Sequence, residues 1–520
     1  MTIVTAYDTL GASGVQHSLA QSGAVAMFVE PHLLKTATKP LEATKTIKHL
    51  IYNDATTQPI PDAELEAFKA SHPQLNVLSF SDLRALGAAN RVEPVPPTPN
   101  ALFCIMYTSG TAGLPKGVPV THAALVAGVA GPATILAPCI SEEERVLAYL
   151  PLAHIQELVM ENLVVFVGGC IGYGTPRTLS DTSVRNCAGD MRAFAPTVLV
   201  GVPAVWETIR KGVVSRVASS GPLVRALFWS AFATKSFLVR HGLPGQSIFD
   251  SAVFGKVRAM TGGRLRFIFN GASGIALATQ EFLSLVVAPM VLGYGLTETC
   301  GNGAVGHPLQ YNPASAGALG PITGAVEIKL VSLPELGYSA DATPPRGEIL
   351  IRGAPVLTEY FNDAAETART VTPDGWFRTG DVGEFDAVGH LKVIDRVKNL
   401  VKLLGGEYVA LEKLEAAYRA APTVANVLVH GDAAHARPLA VVAPAEPALA
   451  AIARDLGVEA HDAHHDDRVR ARVLKDLHDA GRKAGLGPLE TVVGVVLSDE
   501  EWTPASVSRS PSPRRRSTDD

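Results

Sequence analysis

Four short apolar runs in this chain each end in a turn of small or hydroxylated residues. They are Ala101–Thr111 (ALFCIMYTSGT), Pro196–Trp206 (PTVLVGVPAVW), Leu265–Ser273 (LRFIFNGAS) and Ala288–Thr299 (APMVLGYGLTET). Between them lie stretches with helical apolar spacing, such as Ser251–Met260 and Ala278–Val287. Continuous apolar strands alternating with helices predict an α/β fold of parallel-rich sheets covered by helices. In such sheets ligands bind where the C-terminal ends of the strands open into loops. All four runs place their Gly/Ser/Thr turns at that end, so the chemistry is expected there. The run Leu163–Gly174 (LVVFVGGCIGYG) is glycine-broken and too short to span a bilayer. It reads as a buried strand plus turn.

The pattern changes along the chain. A proline cluster, Arg91–Asn100, reads as a stiff surface linker. From about Arg346 the segments are shorter and strand-like: GEILIRG, GWFRTGDVGEF and GHLKVID. After the lysine-rich Asp395–Lys402 come a helical LEKLEAAYRAA and a strand-like VANVLVH. The division expected is a large domain over 1–394, a small mobile α+β domain over 395–504, and a tail over 505–520. The tail is rich in Ser, Arg and Pro without apolar periodicity, which predicts disorder. The stretch His461–Asp467 (HDAHHDD) reads as a polar turn opening a helix rather than a metal site.

Composition narrows the function classes. The 520 residues are 47% hydrophobic and 18% charged, enough for a sizeable core. The formal net charge of −5 gives no chain-wide footprint for nucleic acid or an anionic membrane. The arginines at 509 and 514–516 could touch RNA, but a solvated end is the better reading, and nucleic acid is disfavoured as a partner. The five cysteines are scattered without metal-ligand or redox spacing. No basic segment followed by an apolar run opens the chain, so no secretory signal is expected, and the final TDD is no peroxisomal tripeptide.

The loop Tyr107–Gly117 (YTSGTAGLPKG) has the parts of a phosphate cradle. Glycines let backbone N–H groups approach an anion, hydroxyls donate, and Lys116 supplies a mobile charge. A Walker A loop needs Gly-Lys-Ser/Thr, whereas Lys116 is followed by Gly117 and Val118. Taken alone, the loop reads equally well as a plain strand-to-helix turn.

Three further motifs change that reading: GYGLTET (Gly293–Thr299), GWFRTGD (Gly375–Asp381) and DRVKNLVKLLGGEYVALEKLE (Asp395–Glu415). With the loop, in this order, they resemble the adenylate-forming superfamily of acyl-CoA synthetases, luciferases and peptide-synthetase adenylation domains. AYLPLAHIQE and the stretch from Thr178 to Gly212 bring the resemblance closest to the long-chain fatty acyl-CoA synthetases of fungi.

The resemblance implies a two-step reaction using ATP, Mg²⁺ and coenzyme A. A fatty-acid carboxylate would attack the ATP α-phosphate to give acyl-AMP, and the coenzyme A thiol would then displace AMP. Thr108, Ser109, Gly110, Thr111, Gly113 and Lys116 would grip the departing pyrophosphate. Tyr294 would stack on adenine beside Gly295, with Gly271, Ala272 and Ser273 as the opposite wall. Thr297 would touch the α-phosphate, Glu298 would hold Mg²⁺, and Asp381 and Arg396 would reach the ribose. His154 would line the approach of the acyl carboxylate. Lys398 would mark the hinge between domains, and Gly405 and Gly406 the pantetheine passage.

The chain also departs from that family. Ala112 stands where a second threonine is usual, removing one hydroxyl donor. The chain opens on a stretch that resembles the interior of the family's large domain, and no lysine follows Trp502, where the family places one that serves adenylation. Slower adenylation is therefore expected. The alternatives to a long-chain fatty acid–CoA ligase are a ligase for another carboxylic acid and a weakened paralogue that binds nucleotide or acyl ligand. The expected location is cytoplasmic, with peripheral association to endoplasmic reticulum or lipid droplets following the substrate.

Overall fold

The computed structural model describes residues 1–7, 10–56, 59–108, 114–308, 317–405, 407–499 and 502. The chain divides into two compact units. The first comprises Met1–Leu125 with Leu357–Arg369 and Trp502; the second comprises Val126–Val356 with Thr370–Glu501.

In the first unit, β1 (Ile3–Thr5) joins a later hairpin, and β2 (Ala26–Val29), β3 (His49–Tyr52) and β4 (Asn76–Ser79) form a parallel sheet. The proline cluster is exposed throughout, as expected of a surface linker. It leads into β5 (Leu102–Thr108), which lies parallel to β1 and antiparallel to β6 (Lys116–Thr121). The register sets Thr108 opposite Lys116, so the two mouths of the phosphate-loop segment are adjacent.

The second unit is built on a six-stranded sheet of β7 (Arg145–Ala148), β8 (Cys170–Tyr173), β9 (Val198–Gly201), β10 (Phe267–Asn270), β11 (Met290–Tyr294) and β12 (Ala304–Val305). Its order is β12-β11-β10-β9-β7-β8, parallel except for β12. β9 and β10 are buried along their whole length, which is why they read as continuous apolar runs without alternation. The helices α1 (Ile155–Val167), α2 (Pro203–Ala218), α3 (Pro222–Arg240), α4 (Gln246–Ala252) and α5 (Leu277–Val286) connect these strands. Leu199, Ile268, Leu283 and Val286 are fully buried in the core between sheet and helices. Each such side chain contributes roughly 1.5–3 kcal/mol relative to exposure.

Two expectations need correction. Leu163–Val167 is not strand but the last turns of α1. Its apolar residues continue the helical stripe of Ile155, Leu158 and Val159, and Gly168, left-handed at φ 80°, ends the helix. Only Cys170–Tyr173 is strand, at the sheet edge and partly exposed rather than buried. Ser251–Met260 is not one helix either; the chain breaks at Val253–Phe254 between α4 and a short helix Gly255–Met260.

The antiparallel sheet β13 (Val326–Val331), β14 (Arg346–Gly353), β15 (Phe377–Phe385) and β16 (Leu391–Arg396) follows. The hairpin β17 (Leu400–Lys402) and β18 (Tyr408–Ala410) leads to α6 (Leu411–Arg419). Then β19 (Val424–His430), β20 (Leu439–Pro444) and β21 (Val495–Leu497) form a sheet packed with α6 and α7 (Asp467–Lys483) around Leu414, Tyr418, Val442 and Val473. The polar stretch His461–Asp467 does open a helix: Asp466 caps α7 by accepting from the Arg468 and Val469 N–H groups.

Candidate active site

β9, β10 and β11 end side by side, because Asn270 stands level with both Gly201 and Leu292. The turns that follow, Gly271–Ser273 and Gly295–Glu298, therefore share one edge of the sheet. Ala272 is held in the left-handed region at φ 68°, which costs a non-glycine residue roughly 1–3 kcal/mol. Asn270 secures it, donating to the Ser273 carbonyl at 3.1 Å. A Cβ on Gly271 would stand 2.8 Å from the Gln156 side chain, so the first turn of α1 packs against this turn. His154, which precedes α1, is brought to the same edge. Partial burial lowers its pKa, leaving the imidazole neutral at pH 7.

The loop after β11 is drawn tight. A Cβ on Gly295 would lie 2.3 Å from Gly301 backbone, so no side chain fits there. The Leu296 N–H donates to Thr299 Oγ1 at 3.0 Å. Thr297 and Glu298 sit half-buried on the resulting single 3₁₀ turn, Thr297–Thr299.

Tyr294, Asp381 and Arg396 are in direct contact. The Tyr294 hydroxyl donates to Asp381 Oδ2 at 2.7 Å. Asp381 on β15 pairs across the sheet with Arg396 on β16, whose Nε lies 3.3 Å from Oδ1. Only 3% of Asp381 is exposed. Burial raises its carboxyl pKa, while the Tyr294 hydroxyl and the Arg396 guanidinium oppose that rise. Burial holds the Tyr294 phenol well above its ordinary value, so it stays a donor. A carboxylate has about four lone-pair sites, so the acceptor capacity of Asp381 is not exhausted by this contact. Arg396 is oriented in turn by Asp395. That side chain accepts the Arg396 N–H at 2.6 Å and the Glu412 N–H at 3.2 Å. It thereby ties β16 to the first turn of α6, and burial pushes its carboxyl up to about 6.

In the first unit, Lys116 forms an ion pair with Glu366, whose side chain is 4% exposed, and Arg369 shares that carboxylate. The Lys116 ammonium also stands 5.6 Å from the centre of the Tyr360 ring. Glu366 is fixed by its backbone, since its N–H donates to Asp363 Oδ1 at 2.9 Å at the start of the helix Ala364–Thr370. The Phe361 N–H donates to the Gly117 carbonyl at 2.9 Å, stapling this segment to β6.

Thr108 ends β5, half-buried. Ser109, Gly110, Thr111, Gly113 and Gly406 lie outside the described residues. Lys398 sits on the 3₁₀ turn Val397–Asn399 and Gly405 in the β17–β18 turn, both further along the chain than the Tyr294–Asp381–Arg396 cluster. Sequence reasoning missed Gln156, Glu157, Glu366 and Asp395. For Glu366 the available signal was D-x-x-E at a helix start, which reads as a cap and says nothing of Lys116.

Glu157 carries a pH prediction. It is 3% exposed in α1, and burial, reinforced by Glu161, pushes its carboxyl from the ordinary 4.5 up to about 8. The folded state then binds this proton more tightly than the unfolded state does. Its contribution to stability is full below pH 4.5 and is lost as pH rises toward about 8. Thermal melts should show the melting temperature of Glu157→Gln falling less than that of the parent chain between pH 5 and pH 8. Parallel curves would refute the assignment.

Residues 1–361 match the family described as AMP-binding enzyme. The chain belongs to the AMP-binding enzyme family. A palmitoyl-CoA ligase of Gibberella moniliformis is 50% identical over 507 residues, covering 97% of this chain and 74% of that protein. Long-chain-fatty-acid–CoA ligase 1 of Schizosaccharomyces pombe is 45% identical over 512 residues, with coverage of 97% and 74%. Among solved structures, the adenylation domain of a carboxylate reductase from Mycobacterium chelonae aligns with a TM-score of 0.78 at 25% identity, over 97% of this chain and 72% of that one. The corresponding domain from Segniliparus rugosus, solved with AMP and a co-purified carboxylic acid, aligns at 0.76 and 24%, over 97% of this chain and 74% of that one. This last likeness shows the shared fold. The AMP-binding family assignment agrees with the four motifs, and no described helix is long and apolar enough to cross a membrane.

Proposed function

We propose that this AMP-binding family member joins long-chain fatty acids to coenzyme A through an acyl-adenylate. The observation that carries the reading is the buried Asp381 carboxylate, held between Tyr294 and Arg396 beside the open ends of β9–β11. It is supported by 50% identity to a palmitoyl-CoA ligase over almost the whole chain.

In the first step a carboxylate oxygen of the fatty acid bonds to the α-phosphorus. The bond to the bridging oxygen breaks, and pyrophosphate leaves with the electron pair. Asp381 accepts from the ribose hydroxyls, Arg396 reaches the same sugar, and Tyr294 stacks on adenine opposite Gly271–Ser273. Thr297 donates to the α-phosphate, and neutral His154 lines the approach of the acyl carboxylate. Lys116, Thr108 and the glycine-rich loop grip the β- and γ-phosphates. The carboxylate oxygens of Glu298 suit Mg²⁺, a hard cation that would neutralise phosphate charge. In the second step the coenzyme A thiolate attacks the acyl carbonyl and AMP departs. A small domain beginning near Asp395, with Lys398 at its hinge and Gly405 and Gly406 along the pantetheine path, reorients between the two steps.

ATP–pyrophosphate exchange tests this directly. Exchange should require a long-chain fatty acid and Mg²⁺, and thioester should form when coenzyme A is added. Exchange only with aryl acids would point to a different ligase, and none with any acid would sink the reading. Ala112 favours slow exchange, since one hydrogen bond to a charged group is worth about 1.5–3 kcal/mol.

A further inference from the structure

Thr297 and Glu298 ride on the loop 295–303, which joins β11 to β12. The loop turns back through two residues in the left-handed region, Cys300 at φ 48° and Gly301 at φ 72°. Cys300 carries a Cβ and does not favour that conformation, so the turn needs an outside hold. Backbone bonds close it in part. The Gly301 N–H donates to the Leu296 carbonyl at 2.9 Å, and the Asn302 N–H to the Thr299 carbonyl at 3.0 Å. The side chain of Asn302 supplies the rest.

Asn302 is fully buried. Its amide nitrogen donates to the Cys300 carbonyl and to the Gly128 carbonyl, both at 3.0 Å. Its amide oxygen accepts from the hydroxyl of Thr323, also buried, at 3.0 Å. Both amide hydrogens are thereby used. The two carbonyls fix which way the amide faces, since a flip would set three oxygens together.

The helix His122–Leu136 provides the Gly128 end of this clamp. In an unbroken helix the Gly128 carbonyl would accept the N–H of position 132. That position is Pro132, which has no N–H, so the carbonyl loses its helical partner. Asn302 fills the place from another part of the chain. The same helix face is cut away to admit the loop. A Cβ on Gly128 would stand 2.6 Å from the Cys300 sulfur, and one on Gly131 would overlap the Asn302 amide oxygen. Two glycines and a proline weaken a helix interior. Here all three serve one contact.

We propose that Asn302, seated on the Gly128 carbonyl, is a positioning residue that holds Thr297 and Glu298 toward the nucleotide phosphates and Mg²⁺. The role rests on the ligase reading above, which puts phosphate and metal beside this turn. Asn302 is closed to solvent and its amide is fully engaged, so it acts through the turn and not on the nucleotide.

ATP–pyrophosphate exchange as a function of Mg²⁺ tests it. Asn302→Leu removes the three side-chain hydrogen bonds at similar volume. It should lower kcat about tenfold and raise the Mg²⁺ concentration for half-maximal rate about tenfold, with the KM for fatty acid unchanged. In a Glu298→Gln background it should shift that Mg²⁺ midpoint no further, since both changes act through one carboxylate. Thr323→Val keeps the shape and loses the hydroxyl, and should move the midpoint about threefold in the same direction. Thr323→Ser keeps the hydroxyl and should match the parent. This pair decides the matter if Asn302→Leu does not fold. Hydrogen exchange at the Gly301 and Asn302 amides, read without turnover, should be faster in Thr323→Val and parent-like in Thr323→Ser. A merely structural role would lower the folded fraction and leave the Mg²⁺ midpoint in place. An unmoved midpoint in folded variants would therefore overturn the proposal. So would a further shift in the Glu298→Gln background, or equal shifts in Thr323→Val and Thr323→Ser. A parent chain with no exchange at all is a failure of the ligase reading, and this role falls with it. A parent that exchanges while the variants keep its midpoint is a failure of Asn302 alone.

Discussion

Asp381→Asn should raise the KM for ATP about 10- to 100-fold while leaving kcat much less affected. On the proposed reading the carboxylate would contact the ribose, a part of the nucleotide that does not react, so its loss would remove binding shared by ground state and transition state. One hydrogen bond to a charged group is worth about 1.5–3 kcal/mol, and each 1.4 kcal/mol is tenfold. The amide is isosteric and keeps an oxygen for the Tyr294 hydroxyl, now at 2.7 Å, so the ring should stay in place. It gives up the negative charge that faces Arg396. The substitution also removes a carboxylate that is 3% exposed and penalised by burial, so the melting temperature should hold or rise. An unchanged KM for ATP in a well-folded variant would remove Asp381 from the nucleotide site. A large fall in melting temperature would mark the residue as structural instead.

The part of this site that was legible in the sequence is the part built from local signals. β9, β10 and β11 are buried on both faces, and their continuous apolar runs end in small-residue turns, so Gly271–Ser273 and Gly295–Glu298 could be placed before any coordinates. Leu163–Val167 was misread for the converse reason. A short apolar run has no periodicity of its own, and the helical stripe that decides it begins at Ile155. Partners distant in sequence were not legible. Tyr294 and Asp381 are 87 positions apart and Lys116 and Glu366 are 250 apart, so tertiary packing alone brings each pair together.

Glu366→Gln should slow ATP–pyrophosphate exchange about tenfold in the parent chain and not at all in a Lys116→Met background. The phosphate-loop lysine is a long side chain with about 2 kcal/mol of rotamer entropy, and left alone it would explore many positions. The Glu366 carboxylate limits that freedom. It is fixed by the Asp363 cap, nearly closed to water, and shared by Lys116 and Arg369. On the proposed reading its effect on phosphate would be exerted through Lys116, which would make it a positioning residue. Lys116→Met should cost about 10²-fold in kcat for exchange, the loss typical of one aimed donor at developing charge. The glutamine keeps the volume and one acceptor, whereas an alanine would open a cavity and leave Arg369 without its partner. Two residues that act as a unit give losses that do not multiply. The double variant should thus match Lys116→Met alone. If the two losses multiplied instead, Glu366 would serve the fold of the 357–369 segment and not the lysine. Melting curves separate these outcomes further: a positioning role leaves Glu366→Gln with a parent-like transition while the exchange rate falls.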